Sequence, residues 1–130
     1  MLSRSSSVKL VGTLLLALTL ASCTDSSGVK GNWQLASPAA DLPEGATLKT
    51  EDSRISWYDG CNTYEGHYEL KDGRLVVSEV QSTAAGCLGP KAEAAERYVS
   101  VMIGNPTYRR NGSKLELSRG DRTLTFSPRG

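Results

Sequence analysis

The sequence predicts an α+β fold in which an antiparallel sheet of about eight short strands curls over one helix. Short segments that alternate apolar and polar residues recur along most of the chain, separated by Asp-Gly, Asn-Gly and Gly-Asp turn dipeptides. In one segment, residues 91–103, the spacing of apolar residues changes from every second residue to about every 3.6 residues. Because strands greatly outnumber helices and follow one another through short turns, we expect a sheet whose apolar face is covered by the helix.

Five strands are predicted in the first half of the domain. Trp33 and Leu35 share one face of the first, and residues 38–45 form a loop rich in Pro, Ala and Asp. Lys71-Asp72-Gly73 is a hairpin signal, because Asp and Gly tolerate the positive φ that a tight turn requires. The five strands are predicted at residues 31–37, 46–50, 54–58, 64–70 and 74–80.

The helix is predicted over residues 91–103, since Pro90 suits a first turn and Gly104 an end. The apolar residues at helical spacing are Ala92, Ala95, Val99, Met102 and Ile103. We interpret this stripe as core, because a single helix in a small sheet protein must bury its apolar face. Three more strands are predicted after the helix, at residues 107–110, 114–118 and 122–127.

The first 22 residues have the pattern of an export signal. Arg4 and Lys9 precede a mostly apolar run of 11 residues, 10–20, which is too short for a bilayer span of about 20 residues. Leu20-Ala21-Ser22-Cys23 resembles a bacterial lipobox. The resemblance implies that residues 1–22 are removed, that Cys23 carries a diacylglycerol thioether with palmitate as the associated acyl group, and that the chain is exported and tethered. The alternative is ordinary secretion with a chance cysteine after the cleavage site.

The remaining 108 of the 130 residues are enough for one domain. Residues 23–30 are then the lipidated cysteine and a polar spacer, and residues 31–128 the folded domain. Without the two cations of the signal, 13 Lys and Arg face 14 Asp and Glu, in an interspersed pattern. This balance argues against a nucleic-acid partner, which requires a basic surface. We expect a monomer.

Three cysteines are an awkward number for an exported protein, because one is left unpaired. With Cys23 lipidated, Cys61 and Cys87 remain, and an oxidising envelope favours a disulfide between them. It would close a loop of about 26 residues, worth roughly 3.5 kcal/mol in the chain-entropy model. That is a large share of the stability of a small domain.

Two motifs surround these cysteines: Gly60-Cys61-Asn62-Thr63-Tyr64-Glu65-Gly66, and then Thr83-Ala84-Ala85-Gly86-Cys87. In this order, ahead of a helix, they resemble the META/HslJ-like domain family, whose pattern is G-C-N-x-(Y/F)-x-G and then T-x-x-x-C. The resemblance covers residues 31–126. It implies a cracked or incomplete β-barrel that holds a helix, an association with the envelope or with heat shock, and no established enzymatic activity. Trp57 and Ala85-Gly86 depart from the family pattern, which leaves the local packing there undetermined.

We interpret the motif as structural rather than catalytic. Asn62 suits a turn, because its side chain forms local hydrogen bonds and it tolerates left-handed φ, and Gly66 permits close backbone approach or a bulge. The expected structural residues are Gly60, Asn62, Tyr64, Gly66 and Thr83.

Catalytic and metal sites are weaker interpretations of the same residues. A zinc site from His67 and the two motif cysteines would have too few ligands. A hydrolase pairing His67 with Ser82 lacks a nucleophile elbow. Glu65 and Glu69 share a strand face at a spacing that a glycosidase can use, but a solvated face accounts for them more simply. We therefore expect no catalytic residue, metal or cofactor.

The sequence thus predicts a non-catalytic, membrane-anchored envelope lipoprotein that acts as a stress-associated or assembly-accessory binding module. Its expected partners are the membrane, through Cys23, and an envelope protein. The alternative is a carrier of a small apolar ligand or lipid in the cracked barrel, since barrel mouths are common ligand sites. A hydrolase using His67 is a third hypothesis.

Overall fold

A computed structural model describes residue 12, residues 28–36 and residues 41–130. The predicted signal, Cys23 and most of the spacer lie outside these residues. Within the described part there are eight strands and one helix: β1 Gly31–Leu35, β2 Thr47–Glu51, β3 Arg54–Tyr58, β4 Thr63–Lys71, β5 Arg74–Ser82, α1 Gly89–Met102, β6 Thr107–Asn111, β7 Lys114–Arg119 and β8 Arg122–Pro128. No helix among the described residues is long and apolar enough to cross a membrane.

Each strand pairs antiparallel with the next, and β8 returns to pair with β1, so the sheet closes into a barrel. The expected antiparallel sheet with one helix is therefore confirmed. The expected cracked or incomplete barrel is not confirmed, because the sheet closes. The shortest strand pairing in the barrel is that of β5 with β6, in which only Arg74 and Thr107 are paired. The chain forms α1 between these two strands, and β6 pairs with β5 only at the start of β5.

The strand and helix bounds agree with the sequence prediction to within two residues wherever the structure describes them. β3 matches residues 54–58, and α1 begins two residues earlier than predicted, at Gly89. The expected β4–β5 hairpin is present, and its turn has two central residues, with φ of 52° at Asp72 and 74° at Gly73. Local turn chemistry sets this hairpin because both central residues of such a turn need positive φ.

Alternate residues of the strands fill the interior of the barrel. Trp57 stacks on Tyr64 with ring centroids 4.9 Å apart, and Phe126 meets the α1 residue Tyr98 edge to face at 6.2 Å. The buried apolar strand residues are Trp33, Leu48, Ile55, Trp57, Leu75, Leu115, Leu117, Leu124 and Phe126. Large side chains therefore occupy the interior, as they do in small barrels.

The buried face of α1 differs from the predicted stripe. Its buried residues are Ala94, Ala95, Tyr98, Val101 and Met102. Of the predicted core residues, Ala92 and Val99 are only half-buried, and 57% of Ile103 is exposed. The Tyr98 hydroxyl donates to the Thr47 carbonyl at 2.9 Å. Because this bond satisfies the hydroxyl, the large aromatic ring can be buried, and Val99 and Ile103 are left on a less buried side of the helix.

The two ends of the barrel differ, because successive turns of an up-and-down barrel alternate between its ends. The N-terminal end contains residues 28–31, 51–54, 71–74, 110–114 and 128–130. The helix end contains α1 and residues 41–46, 59–62, 83–88 and 119–122. The described part of the domain begins at the first end, and the cysteine motifs lie at the second.

Candidate groove between the helix and the cysteine motif

The β3–β4 loop is held by a buried carboxylate. Asp59 is only 2% exposed, and its Oδ1 accepts the backbone N–H groups of Cys61 at 2.7 Å and Asn62 at 2.6 Å. An Asp side chain commonly stabilises a turn through its own nearby backbone in this way. Burial, followed by the nearby Asp59 carboxylate, raises the pKa of Tyr64. Sequence reasoning assigned Asp59 only to a turn, and its burial gave no signal in the chain.

Asn62 joins the two motifs. Its Oδ1 accepts the Thr83 hydroxyl at 3.0 Å and the Ala85 N–H at 2.6 Å, and its Nδ2 donates to the Ala85 carbonyl at 3.3 Å. Thr83 Oγ1 in turn accepts the Thr63 N–H at 3.0 Å. The expected role of Asn62 was a local turn. The structure instead places its side chain across a gap of more than 20 residues, on the segment that leads into α1.

The motif cysteines lie next to this hydrogen-bond cluster. The Sγ atoms of Cys61 and Cys87 are at bonding distance, and their Cα atoms are 6.1 Å apart, within the range of a disulfide. A disulfide here and the Asn62 bonds attach residues 83–87 to the β3–β4 loop at two points. The start of α1 is thereby positioned against this loop.

Gly66 lies opposite a bulge in β5. The β4–β5 register shifts between Glu65 and His67, and Glu79 on the bulged strand has a φ of 53°. A Cβ on Gly66 would lie 2.8 Å from the Ser78 carbonyl oxygen. A side chain at this position would therefore collide with backbone, which accounts for a glycine in the middle of a strand.

The other predicted motif residues contribute to packing. Tyr64 is half-buried against Trp57, and the Gly60 carbonyl accepts the Tyr58 hydroxyl at 3.0 Å. The structure thus brings Gly60, Asn62, Tyr64 and Thr83 to one region between the starts of β4 and α1, whereas Gly66 lies within β4, opposite the bulge in β5.

A groove of about 410 Å³ lies between the β3–β4 loop and α1, and we call it the α1 groove. Its helix wall is formed by Ala92, Ala95, Val99 and Ile103. Three of these four are residues that the sequence analysis placed in the core and that the observed helix rotation leaves half-buried or exposed. The volume is typical of a small binding site.

The opposite wall and the edge of the α1 groove are more polar. Tyr64 and Asn62 line the β4 side, and Glu96 and Ser100 lie on the helix side. An apolar centre with a polar edge is the usual composition of a surface that binds an apolar side chain. Leu88, directly before α1, is 89% exposed and adds apolar surface to the helix end of the barrel.

The residues weighed for catalysis are not assembled at the groove. The His67 imidazole faces Glu79 on an exposed strand surface, with Nε2 3.5 Å from the carboxylate. Glu65 and Glu69 are exposed, and the buried carboxylate of Asp59 is occupied by two backbone donors. In the part of the chain that the structure describes, no three His, Cys, Asp or Glu residues are grouped to hold a metal ion.

Comparison with known proteins agrees with this architecture. The family model of the META domain matches residues 26–130. The chain belongs to the META domain family. The resemblance inferred from the two cysteine motifs is thereby confirmed. No curated protein matches the chain.

Two solved structures resemble this META domain. The NMR structure of a protein from Burkholderia xenovorans is 26% identical, with a TM-score of 0.57, and the match covers 77% of this chain and 82% of that chain. A second NMR structure is 20% identical, with a TM-score of 0.60, over 75% of this chain and 88% of that one. The second likeness concerns the fold alone.

Proposed function

We propose that this META-domain protein is a membrane-anchored envelope lipoprotein that acts as a non-catalytic binding module. Its α1 groove docks an apolar side chain of an envelope protein partner. The observation that carries this proposal is the outward wall of α1, where Val99 and Ile103 face a loop fixed by Asp59 and Asn62. A rigid apolar cleft loses little conformational entropy when a partner binds.

A protein partner fits the α1 groove better than an enclosed ligand. The barrel interior is filled by Trp33, Trp57, Phe126 and leucine side chains, so an apolar ligand inside would have to displace the core. The groove is on the surface instead, and the exposed Ile103 and Leu88 provide apolar area for a protein interface. A small apolar ligand remains a second candidate only for this surface groove.

The anchor is proposed from the lipobox-like residues 20–23. Four residues lie between Cys23 and Gly28, so five Cα–Cα steps limit the tether to about 18 Å. Gly28 enters the domain at the N-terminal end, and the α1 groove lies at the opposite, helix end. A tethered domain would therefore present its groove away from the membrane, towards other envelope proteins. The association with stress rests on the family resemblance.

Site-specific photo-crosslinking of the full chain in its own envelope tests the groove. A photoreactive phenylalanine replaces Ile103 in one form and Leu70 in a matched control, since Leu70 is also an exposed apolar residue but lies near the N-terminal end. We expect one protein to be captured in stoichiometric amount from position 103 and not from position 70.

The captured protein must then bind the purified chain. Ile103→Lys is expected to weaken this binding at least about tenfold, because it places a charge in an apolar cleft, while Leu70→Lys leaves it unchanged. Capture of lipid at position 103 would instead support the carrier. Equal capture from both positions, or none, would refute the groove as a binding site. The Cys23→Ser form tests the anchor separately, through the loss of salt-resistant lipid attachment.

A further inference from the structure

The two ends of the barrel carry opposite charge, although the described chain has balanced charges overall. The N-terminal end has seven cationic side chains against three anionic ones, Glu51, Asp52 and Asp72, a net side-chain charge of +4. The helix end has four cations and six anions, a net of −2. The seven cations are Lys30, Arg54, Lys71, Arg74, Arg110, Lys114 and Arg129.

Pairing within the domain neutralises little of this positive charge. Lys30 is 3.1 Å from Asp52, and Glu51 is 3.0 Å from Lys49 on the wall of the barrel. Among the residues that the structure describes, the other six cations of this end pair with no carboxylate. Asp52 and Glu51, two of the three acidic residues at the N-terminal end, are thus already paired with lysines. The electrostatic potential at this end is therefore positive.

Two of the arginines are ordered by uncharged partners. Arg110 lies over the Trp33 ring, with its guanidinium carbon 4.8 Å from the ring centroid, and donates to the Gly28 carbonyl at 3.2 Å. Arg74 donates to the Asn105 carbonyl at 2.9 Å. Both contacts hold a guanidinium in place without neutralising it. The side chains of Arg54, Lys71, Lys114 and Arg129 are exposed around them.

We propose that the N-terminal end of the barrel is a docking surface for a bilayer rich in anionic phospholipid. The proposal rests on the proposed anchor, because the tether from Cys23 enters the domain at this same end and keeps it within about 18 Å of the membrane. Each Lys or Arg that lies close to an anionic bilayer increases the affinity of the protein for that bilayer about fivefold. The negative helix end is repelled by the same surface.

Docking converts a flexible tether into a fixed orientation. With the N-terminal end on the headgroups, α1 and its groove point away from the bilayer and stay accessible to a partner. Because a surface charge is screened over about 8 Å at physiological ionic strength and about 3 Å at 1 M salt, the orientation should depend on salt. A lipid anchor itself is insensitive to salt, so the two contributions are separable.

Fluorescence quenching on the full chain, purified from cell envelopes in detergent and reconstituted into vesicles, tests the proposal. A fluorophore is attached through Ser113→Cys in the β6–β7 turn or through Asp121→Cys in the β7–β8 turn, at opposite ends of the barrel. The vesicles contain phosphatidylethanolamine with either phosphatidylglycerol or phosphatidylcholine, and a nitroxide headgroup lipid as quencher. We expect strong quenching of the label at residue 113 only with phosphatidylglycerol, its loss at 1 M NaCl, and little quenching at residue 121.

Charge removal gives the matched control. The variant Lys71→Gln/Lys114→Gln/Arg129→Gln should lose the phosphatidylglycerol-dependent quenching, whereas Lys91→Gln/Arg119→Gln, at the helix end, should retain it. If the triple variant melts at a lower temperature, the single changes Lys71→Gln and Lys114→Gln replace it, each with a partial loss. Equal quenching of the labels at residues 113 and 121, or equal quenching in the two lipid mixtures, would overturn the proposal.

Failure of the anchor has a different signature. A chain that leaves the vesicles at 1 M NaCl has no lipid anchor, whatever the label at residue 113 reports at low salt. A chain that stays with the vesicles at 1 M NaCl but shows no lipid-dependent quenching is anchored without docking.

Discussion

Replacement of Gly66 by alanine is expected to destabilise the domain by about 1–2 kcal/mol. The new Cβ would lie 2.8 Å from the Ser78 carbonyl oxygen and 3.2 Å from Val80 Cγ2. The Ser78 oxygen is backbone, so it can retreat only by distorting the bulge in β5. Overpacking of this kind typically costs about 1–3 kcal/mol. The lower entropy of unfolded alanine offsets about 0.4–1 kcal/mol of that cost.

Thermal and urea unfolding of the full chain measure this effect. In a domain of this size 1 kcal/mol corresponds to about 4–8 °C, so the Gly66→Ala variant should melt roughly 4–16 °C lower. Gly86→Ala is the matched control, since no atom lies within 4 Å of its Cβ position and its φ is not in the left-handed region. If Gly66→Ala melts at the same temperature as Gly86→Ala, close backbone approach is not the reason for glycine at position 66.

Two further changes test the disulfide and the buried tyrosine. Cys61→Ser should lower the free energy of unfolding by roughly 2–4 kcal/mol and expose one new thiol, that of Cys87; unchanged urea unfolding and an unchanged thiol titration would contradict the disulfide. Tyr98→Phe removes the hydrogen bond to Thr47 and should cost about 1 kcal/mol at pH 7. Burial raises the pKa of Tyr98 well above its usual value of about 10, so the folded state holds this proton more tightly than the unfolded state, and stability should fall as the pH rises above about 10. Tyr98→Phe should lose less stability than the parent between pH 8 and pH 11 in urea titrations, and an equal loss would assign the decline to other groups.

The cysteine motif was only partly predictable from the chain. The motif residues were identified, and Gly66 was expected to permit a close approach or a bulge, because a glycine inside a strand often marks one of these two features. The partners of Asn62 were not predictable, since Thr83 and Ala85 are more than 20 residues away along the chain. The burial of Asp59 was missed for a similar reason, because a carboxylate at a turn is normally exposed.

The sequence by itself determined the strands, the turns and the family. These depend on the period of apolar residues, on residues that tolerate positive φ and on short motifs, and each of those properties is local. The β4–β5 hairpin is the clearest case, since Asp72 and Gly73 specify its turn without help from the rest of the fold.

The tertiary structure alone decided that the barrel closes and which side of α1 is buried. Closure depends on the registers of eight strand pairs taken together, with β8 returning to β1. The rotation of α1 depends on contacts between residues far apart in the chain, among them Tyr98 against Phe126 and the bond from Tyr98 to Thr47, which joins residues 51 positions apart. Because helical spacing fits more than one face, only such distant contacts decide that Tyr98, Val101 and Met102 are buried and that Val99 and Ile103 line the α1 groove.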